Sequence, residues 1–410
     1  MKISYKIILI FLLYLVLPNY LISADNVVEI SGTIKNAKNK KVLGNVSVSI
    51  PGTNIGTVTN TEGNFTLKIP AKDFTKGLKA EQIGFQTQFV TLDENSLPLS
   101  IFLEPSGKVL KELLVLGGDP KEIVKMALRK IPDNYSDHDN LFSGFYRETI
   151  QKGNRFINIS EAMVDVLKKP YKYRDIHGEK VSIHKGRSIV SPKSSDTLAV
   201  KLMGGPYMPI MLDAVKNGDH LFTIEEIDNY DFKMETGVMI DNQMHYAISF
   251  QPKVSLSYPL NSGVFYIDGD NLTISRVEFE LDMKDKNKVT RSILQKKPTG
   301  LNFKPLEVSG MVTYKTIDGK SYINYISSKM RFKCDWKKRL FSSTYTSNAE
   351  MVMVDRDDSP DKHIKFNETF GKRKIFSDHV ENYWDEDFWK DYNIIEPTES
   401  LEKAVDKLKK

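Results

Sequence analysis

The chain has 410 residues, 40% hydrophobic and 27% charged, with 58 Lys and Arg against 53 Asp and Glu for a formal charge of +5. That length supports two or more cores, and so even a charge balance gives nucleic-acid binding no compositional support. The single thiol, Cys334, excludes an intramolecular disulfide, so core packing alone must hold the chain together.

Lys2 and Lys6 precede an apolar run from Ile7 to Leu17, and the small residues Ser23 and Ala24 follow. This order reads as an export signal over residues 1–24. The run is shorter than the roughly 20 residues a membrane span needs, with an uncleaved anchor extending through Pro18 and Asn19 to Ile22 as the alternative. No Cys stands near the cleavage point, which excludes a lipoprotein anchor. Cleavage removes Lys2 and Lys6, lowers the formal charge to +3 and leaves no transmembrane domain.

Residues 26–105 read as an all-β module. Val28, Ile30, Gly32 and Ile34 alternate with polar residues, as do Val46, Val48 and Ile50, then Phe65, Leu67 and Ile69, then Leu99, Ile101 and Leu103. Period two gives each strand one buried face. Gly44 with Asn45, Pro51 with Gly52, and Asn60 to Gly63 punctuate these runs with turn residues. Short strands at such spacing fit a β-sandwich.

Gly32, Gly44, Val46, Gly52, Gly56, Thr57, Gly63, Phe65, Gly84 and Phe85 stand where one known pattern has them. On these residues the segment resembles the carboxypeptidase regulatory-like domain, a transthyretin-like sandwich common in Bacteroidota envelope proteins. The resemblance covers about the first hundred residues and implies an exported accessory module, since in the enzymes that gave the domain its name it is an appendage to the catalytic unit. Ala80, Glu81 and Gln82 depart from the pattern, which has a more apolar strand entering the Gly84 turn. That edge is expected to be frayed or docked on something else.

A linker and helix occupy residues 106–135. Asp119 suits the N-cap, Pro120 the first helical position and Glu122 a capping-box pattern. Ile123, Val124, Ala127, Leu128 and Ile131 then form one apolar face, and Pro132 is expected to stop the helix.

Residues 136–358 again read as mainly β. Gly153 with Asn154, Asp268 through Asn271, and Asp318 with Gly319 are hairpin signals. Strands joined by tight turns are antiparallel, which predicts a larger curved sheet or half-open barrel with a few helices. The FYRE segment at Phe145 to Glu148, the run from Ser160 to Val166, the hairpin from Gly263 to Phe279 and the aromatic ending resemble, in order, a little-characterised envelope family. The hairpin alone also resembles strands of the periplasmic lipoprotein carriers, whose sheet shelters acyl chains.

No motif supplies a catalytic constellation. Zinc-peptidase spacing is missing around His138, His177, His184, His220, His245, His363 and His379, and no G-x-S-x-G elbow occurs. Ser182 with Lys185 matches only a bare S-x-x-K, and Cys334 alternates with Phe332 and Trp336 as a strand residue would. Arg147 with Glu148 reads as a structural ion pair or a solvated face, and Asp268 with Asp270 as hairpin geometry. The expectation is no enzyme, no catalytic residue, no metal and no cofactor.

The tail, residues 359–410, gathers Tyr383, Trp384, Phe388, Trp389 and Tyr392 around Asp385, Glu386 and Asp387. These rings serve either as a contact for a partner or sugar, with Trp384, Trp389, Tyr383 and Phe388 as candidates, or as a clamp onto the second domain. Pro397 and Thr398 then open a helix with Leu401, Ala404, Val405 and Leu408 on one stripe, which needs a surface to lie on.

Three functions are consistent with these features. The first is a non-catalytic binding or assembly protein of the periplasm or outer-membrane periphery in a Gram-negative bacterium, engaging an envelope protein or glycan through its sheets. The second is a carrier of an apolar ligand, held in a cavity lined by Phe250, Phe265, Ile267, Val277 and Phe279 of the second domain. The third is a hydrolase with a noncanonical site.

Overall fold

A computed structural model describes residues 27–106, 118–193, 196, 198, 200–202, 204–337, 342–358, 364–372, 374–384 and 392–409. The expected export signal and two of the tail candidates, Phe388 and Trp389, lie outside the described residues.

The first unit is a sandwich of seven strands: β1 (Val27–Asn36), β2 (Ser47–Ser49), β3 (Gly56–Val58), β4 (Asn64–Pro70), β5 (Leu78–Glu81), β6 (Gln88–Val90) and β7 (Leu99–Leu103). One sheet runs β4-β1-β7 and the other β3-β2-β5-β6. Their inner faces bury Ile30, Ile34, Phe65, Leu67 and Ile101 against Val48, Leu78 and Ala80, as period-two alternation requires. The polar corner after Ala80 is docked. Glu81 pairs with Lys79 at 2.6 Å, Gln82 donates to the Gly44 carbonyl at 2.9 Å, and the Gly84 N–H donates to the Met239 carbonyl of the second unit at 3.1 Å.

Helix α1 (Pro120–Arg129) starts where the sequence places it, with the Asp119 carboxylate accepting from the Lys121 N–H at 3.0 Å. Glu122 pairs with Lys125 at 2.7 Å. Pro132 does not end the helical path. It sits in the first turn of a one-turn helix α2 (Ile131–Asn134), where its missing N–H has no partner to lose.

The second unit is built on one open antiparallel sheet of eleven strands. Its members are β8 (Asn140–Lys152), β9 (Arg155–Lys168), β10 (Lys180–Val190), β12 (Tyr230–Met234), β13 (Val238–Ile240), β14 (Gln243–Pro252), β15 (Asn261–Asp268), β16 (Ile274–Leu281), β18 (Leu301–Ile317), β19 (Lys320–Trp336) and β20 (Ser343–Asp357). The short β11 (Lys201–Leu202) and β17 (Leu294–Lys296) pair separately. All three expected hairpins form. Asp318 and Gly319 both take positive φ, 51° and 77°, the geometry of a tight two-residue turn between β18 and β19.

Strand order is β10-β9-β8-β20-β19-β18-β16-β15-β14-β12, with β13 beside β14. The last strand of the unit therefore closes onto its first, while β10 and β12, neighbours in this sequence of sheet strands, lie at opposite edges. The chain joining them must cross the sheet, and it does so on one face, here called the packed face. Helix α3 (Tyr207–Met211) and the buried Leu212, Val215, Leu221 and Phe222 of this crossing join Tyr146, Ile248, Val312 and Ile326 of the strands in one core. Helix α4 (Lys286–Ile293) covers a second cluster around Phe303, Phe332 and Cys334.

In the tail, Ile364 packs with Leu141 and Leu167, and Phe370, Phe376 and Val380 then enter the main core on the packed face. The tail then shields the β10 edge, with the Phe370 N–H donating to Val181 O at 2.7 Å and Trp384 bridging Gly186. Beyond it, residues 392–397 lie on the opposite face, wedged between sheet and sandwich. Helix α5 (Glu399–Lys409) follows, its first turn capped by Thr398, and buries Leu401 while lying along β9 and β10.

Candidate binding cleft

Period two and the strand register decide which side chains share the face opposite the packed one. Ser262, Glu280, Ser309, Lys329, Asn348 and Thr149 are successive cross-strand partners from β15 to β8, so they form one row across six strands. The next row on that face carries Ser249, Val264, Glu278, Met311, Ser327, Glu350 and Arg147. At about 4.8 Å between strands, the six-residue row extends over roughly 24 Å.

These rows floor a cleft of about 1000 Å³. Asn45, Asn60 and Thr61 of the sandwich form one wall, and Ile395, Thr398 and Leu401 of the tail another. Arg147, Arg276 and Lys329 face Glu278, Glu280 and Glu350, so the lining charges cancel. Arg276 is ion-paired with Glu278, and Lys329 with Glu307 at 2.9 Å.

The wall is held in place by a buried charge network. Arg147 donates to Glu161 at 2.6 Å, to Glu350 at 3.3 Å and to the Ile395 carbonyl at 2.8 Å. Arg187 adds a 2.9 Å bond to the other Glu161 oxygen. Burial works against the Arg147 charge, but Glu161 and Glu350 together raise its pKa. From the sandwich, Thr57 donates to Ile394 O at 2.9 Å, Asn60 donates to Pro397 O at 3.1 Å, and Asn393 exchanges two bonds with the Lys68 backbone at 2.6 and 3.0 Å. Residues 393–397 thus form a strap bonded to both units.

Arg147 and Glu148, adjacent in sequence, point to opposite faces. Glu148 is buried on the packed side, where it accepts from Tyr146 Oη at 2.7 Å and from the Gly205 N–H at 3.2 Å, and burial raises its pKa.

Of the five residues expected to line an apolar cavity, Phe265, Ile267 and Val277 lie on the packed face alone, while Phe250 and Phe279 also border the cleft. Phe250, Phe265, Ile267, Val277 and Phe279 are all buried in the main core. Phe222 of the crossing segment packs its ring 5.5 Å from Phe250 and 5.8 Å from Phe265, and His220 lies 4.5 Å from Phe279. The crossing chain occupies the space beside them. Of the tail candidates, Tyr383 packs against the core and Trp384 is 52% exposed.

Sequence reasoning missed a second buried cluster, at the end of β9 on the packed face. Lys168, Glu179, Asp213 and Lys216 have fully buried side chains. Lys168 contacts Asp213 at 2.8 Å and Glu179 at 2.9 Å, and Tyr314 donates to Asp213 at 2.7 Å. Burial would strip the Lys168 charge, yet Asp213 and Glu179 hold its pKa above the ordinary lysine value. Burial pushes Glu179 up and Lys216 down. With no exposed atom to receive a substrate, these groups pin the crossing segment to the sheet.

Ser275 Oγ lies 2.7 Å from His245 Nε2, while His245 Nδ1 donates to Gln243 O at 3.0 Å. Asp268 stands 4.0 Å from the same Nε2, not from Nδ1, and its carboxylate accepts from the Asp270 and Asn271 N–H groups at 2.8 and 3.1 Å as a turn cap. The acid is therefore on the wrong side of the imidazole for nucleophile, base and orienting group to line up. Among the described residues, no three His, Cys, Asp or Glu gather as a cation site. Also among the described residues, no helix is long and apolar enough to cross a membrane.

Residues 30–115 match the CarboxypepD_reg-like domain family, which accounts for the sandwich. No curated protein matches the chain. Solved structures similar to it include a DUF1329 family protein from Desulfovibrio piger, at 12% identity and a TM-score of 0.26 over 60% of this chain and 96% of that one. A LolA superfamily protein from Nitrosomonas europaea matches at 11% identity and a TM-score of 0.19, over 61% of this chain and 99% of that one. Likeness at this level fixes neither fold nor function.

Proposed function

We propose that this is a non-catalytic binding protein of the bacterial envelope that receives a hydrophilic partner in the cleft between its sandwich and its large sheet. The observation that carries the reading is the cleft itself, about 1000 Å³ and floored by serine, threonine, asparagine and mutually neutralised charges interleaved with Val264, Met311 and Tyr325. Its size matches the upper range of ligand sites. Its two walls come from separate parts of the chain, joined by the strap. The regulatory-like domain and the charged, apolar and small-residue order of residues 1–24 support an exported setting.

An apolar cargo has less support. Most apolar side chains of the large sheet face Phe222, Tyr207 and the rest of the crossing segment, and those on the cleft face, Phe145, Met163, Met311 and Val352, are buried with Ile395 of the strap and Val58 of the sandwich.

Native purification from the periplasm followed by mass spectrometry tests the reading. A hydrophilic molecule is expected to travel with the protein and to be lost from a Ser327→Trp variant that keeps the parent circular dichroism. A co-purifying lipid retained by that variant would contradict it.

A further inference from the structure

We infer that the cleft takes a linear, uncharged polysaccharide laid across the strands along the row from Ser262 to Thr149. This rests on the cleft being the binding site and names the class of its occupant.

Three features of the floor select that class. First, the row offers one polar side chain per strand for six strands, with no apolar residue among them. Strand spacing fixes a regular interval of about 4.8 Å, comparable to the length of one sugar unit. A polymer of repeated polar units can meet such a row in register. Second, hydroxyl and amide side chains both donate and accept, as sugar hydroxyls do, and Ser262, Ser309, Asn348 and Thr149 supply that chemistry at four of the six steps.

Third, the charges exclude the main competitors. Three cationic and three anionic side chains line the cleft, Arg147, Arg276 and Lys329 against Glu278, Glu280 and Glu350. A phosphate or uronate polymer needs a surplus of positive charge to repay its desolvation and to release counterions. A peptide would need a desolvated pocket for an aromatic or aliphatic anchor. The apolar side chains at the floor are already packed, Met311 with Tyr325 and Ile395 and the Phe250 and Phe279 rings in the main core, and Val264 stands between Ser249 and Glu278.

The test is isothermal titration of the full chain with a soluble neutral β-glucan or mannan, an alginate and a polar peptide. A neutral glycan should bind, with an affinity that changes less than twofold as salt is raised, because about zero phosphate-like contacts release counterions. Asn348→Ala and Ser309→Ala should each weaken it about fivefold by removing one hydrogen-bonding group, and Ser327→Trp should abolish it. Binding of alginate or peptide in place of the neutral glycans, still blocked by Ser327→Trp, overturns the assignment to an uncharged polysaccharide and leaves the cleft reading standing. Binding that survives Ser327→Trp, or no binding by any of the three, overturns both.

Discussion

Arg147 on β8 donates to the Ile395 carbonyl at 2.8 Å, joining two residues 248 positions apart. Through that bond the charge network on the cleft face of the sheet reaches the strap that walls the cleft. Glu161, 1% exposed, depends on Arg147 and Arg187 for its compensation.

Arg147→Ala removes one of those two cations and releases the strap. Breaking a buried pair costs about 3–5 kcal/mol, and the low end, about 3 kcal/mol, is expected because Arg187 remains. Urea unfolding monitored by circular dichroism checks this. An unchanged midpoint would show that the network does not hold the tail.

The Lys168 and Asp213 pair should behave as one unit. Asp213→Asn leaves the buried Lys168 only Glu179, and Lys168→Met takes from Asp213 and Glu179 the cation they share, so each should cost about 3–5 kcal/mol. The double variant should be less destabilised than the sum of the two, a coupling that a double-mutant cycle in denaturant measures. Simple additivity would mean that the two groups act independently.

His220 links stability to pH. Burial pushes its pKa from 6.5 down to about 4, so the folded ring stays neutral where the unfolded one takes a proton. The unfolded state then binds more protons between pH 6.5 and 4, and the His220 contribution is complete above that window and lost as pH falls through it. The loss amounts to about 3 kcal/mol. His220→Leu should flatten that part of the stability profile relative to the parent chain. Parallel profiles over the window would contradict the assignment.

Gly310 and Phe279 pair across β18 and β16, and a Cβ at Gly310 would lie 2.5 Å from the Phe279 ring. Gly310→Ala should therefore cost about 2 kcal/mol by overpacking, and Phe279→Leu should recover part of the loss in the double variant. Thermal melts of the three variants decide this.

What the sequence made legible was local. Alternation in β1, β4 and β7 and the turn chemistry of Asp318 and Gly319 depend on neighbouring residues, and both are found in place. The helix start at Asp119 is equally local, whereas Pro132 reads in isolation as a stop and in the fold as the opening of a second turn. The cleft floor was hidden because a row such as Ser309, Lys329 and Asn348 exists only once β18, β19 and β20 adopt a common register. Lys168 followed by Lys169 looks like a solvated pair, and nothing near it announces Asp213, 45 residues later. The apolar stripe of Phe250, Phe265 and Val277 was visible as buried, but its cover, Phe222, comes from a crossing dictated by strand order.

A site-directed label tests the cleft most directly. Cys334, the only native thiol, is buried with its pKa pushed up to about 11, so it reacts slowly. A bulky maleimide can therefore be placed on Ser327→Cys in the cleft floor or, as a control, on Ser100→Cys on an exposed sandwich position. The account predicts that the label at 327 abolishes binding of neutral envelope polysaccharide while the label at 100 leaves it intact. Unimpaired binding with position 327 fully labelled would contradict it.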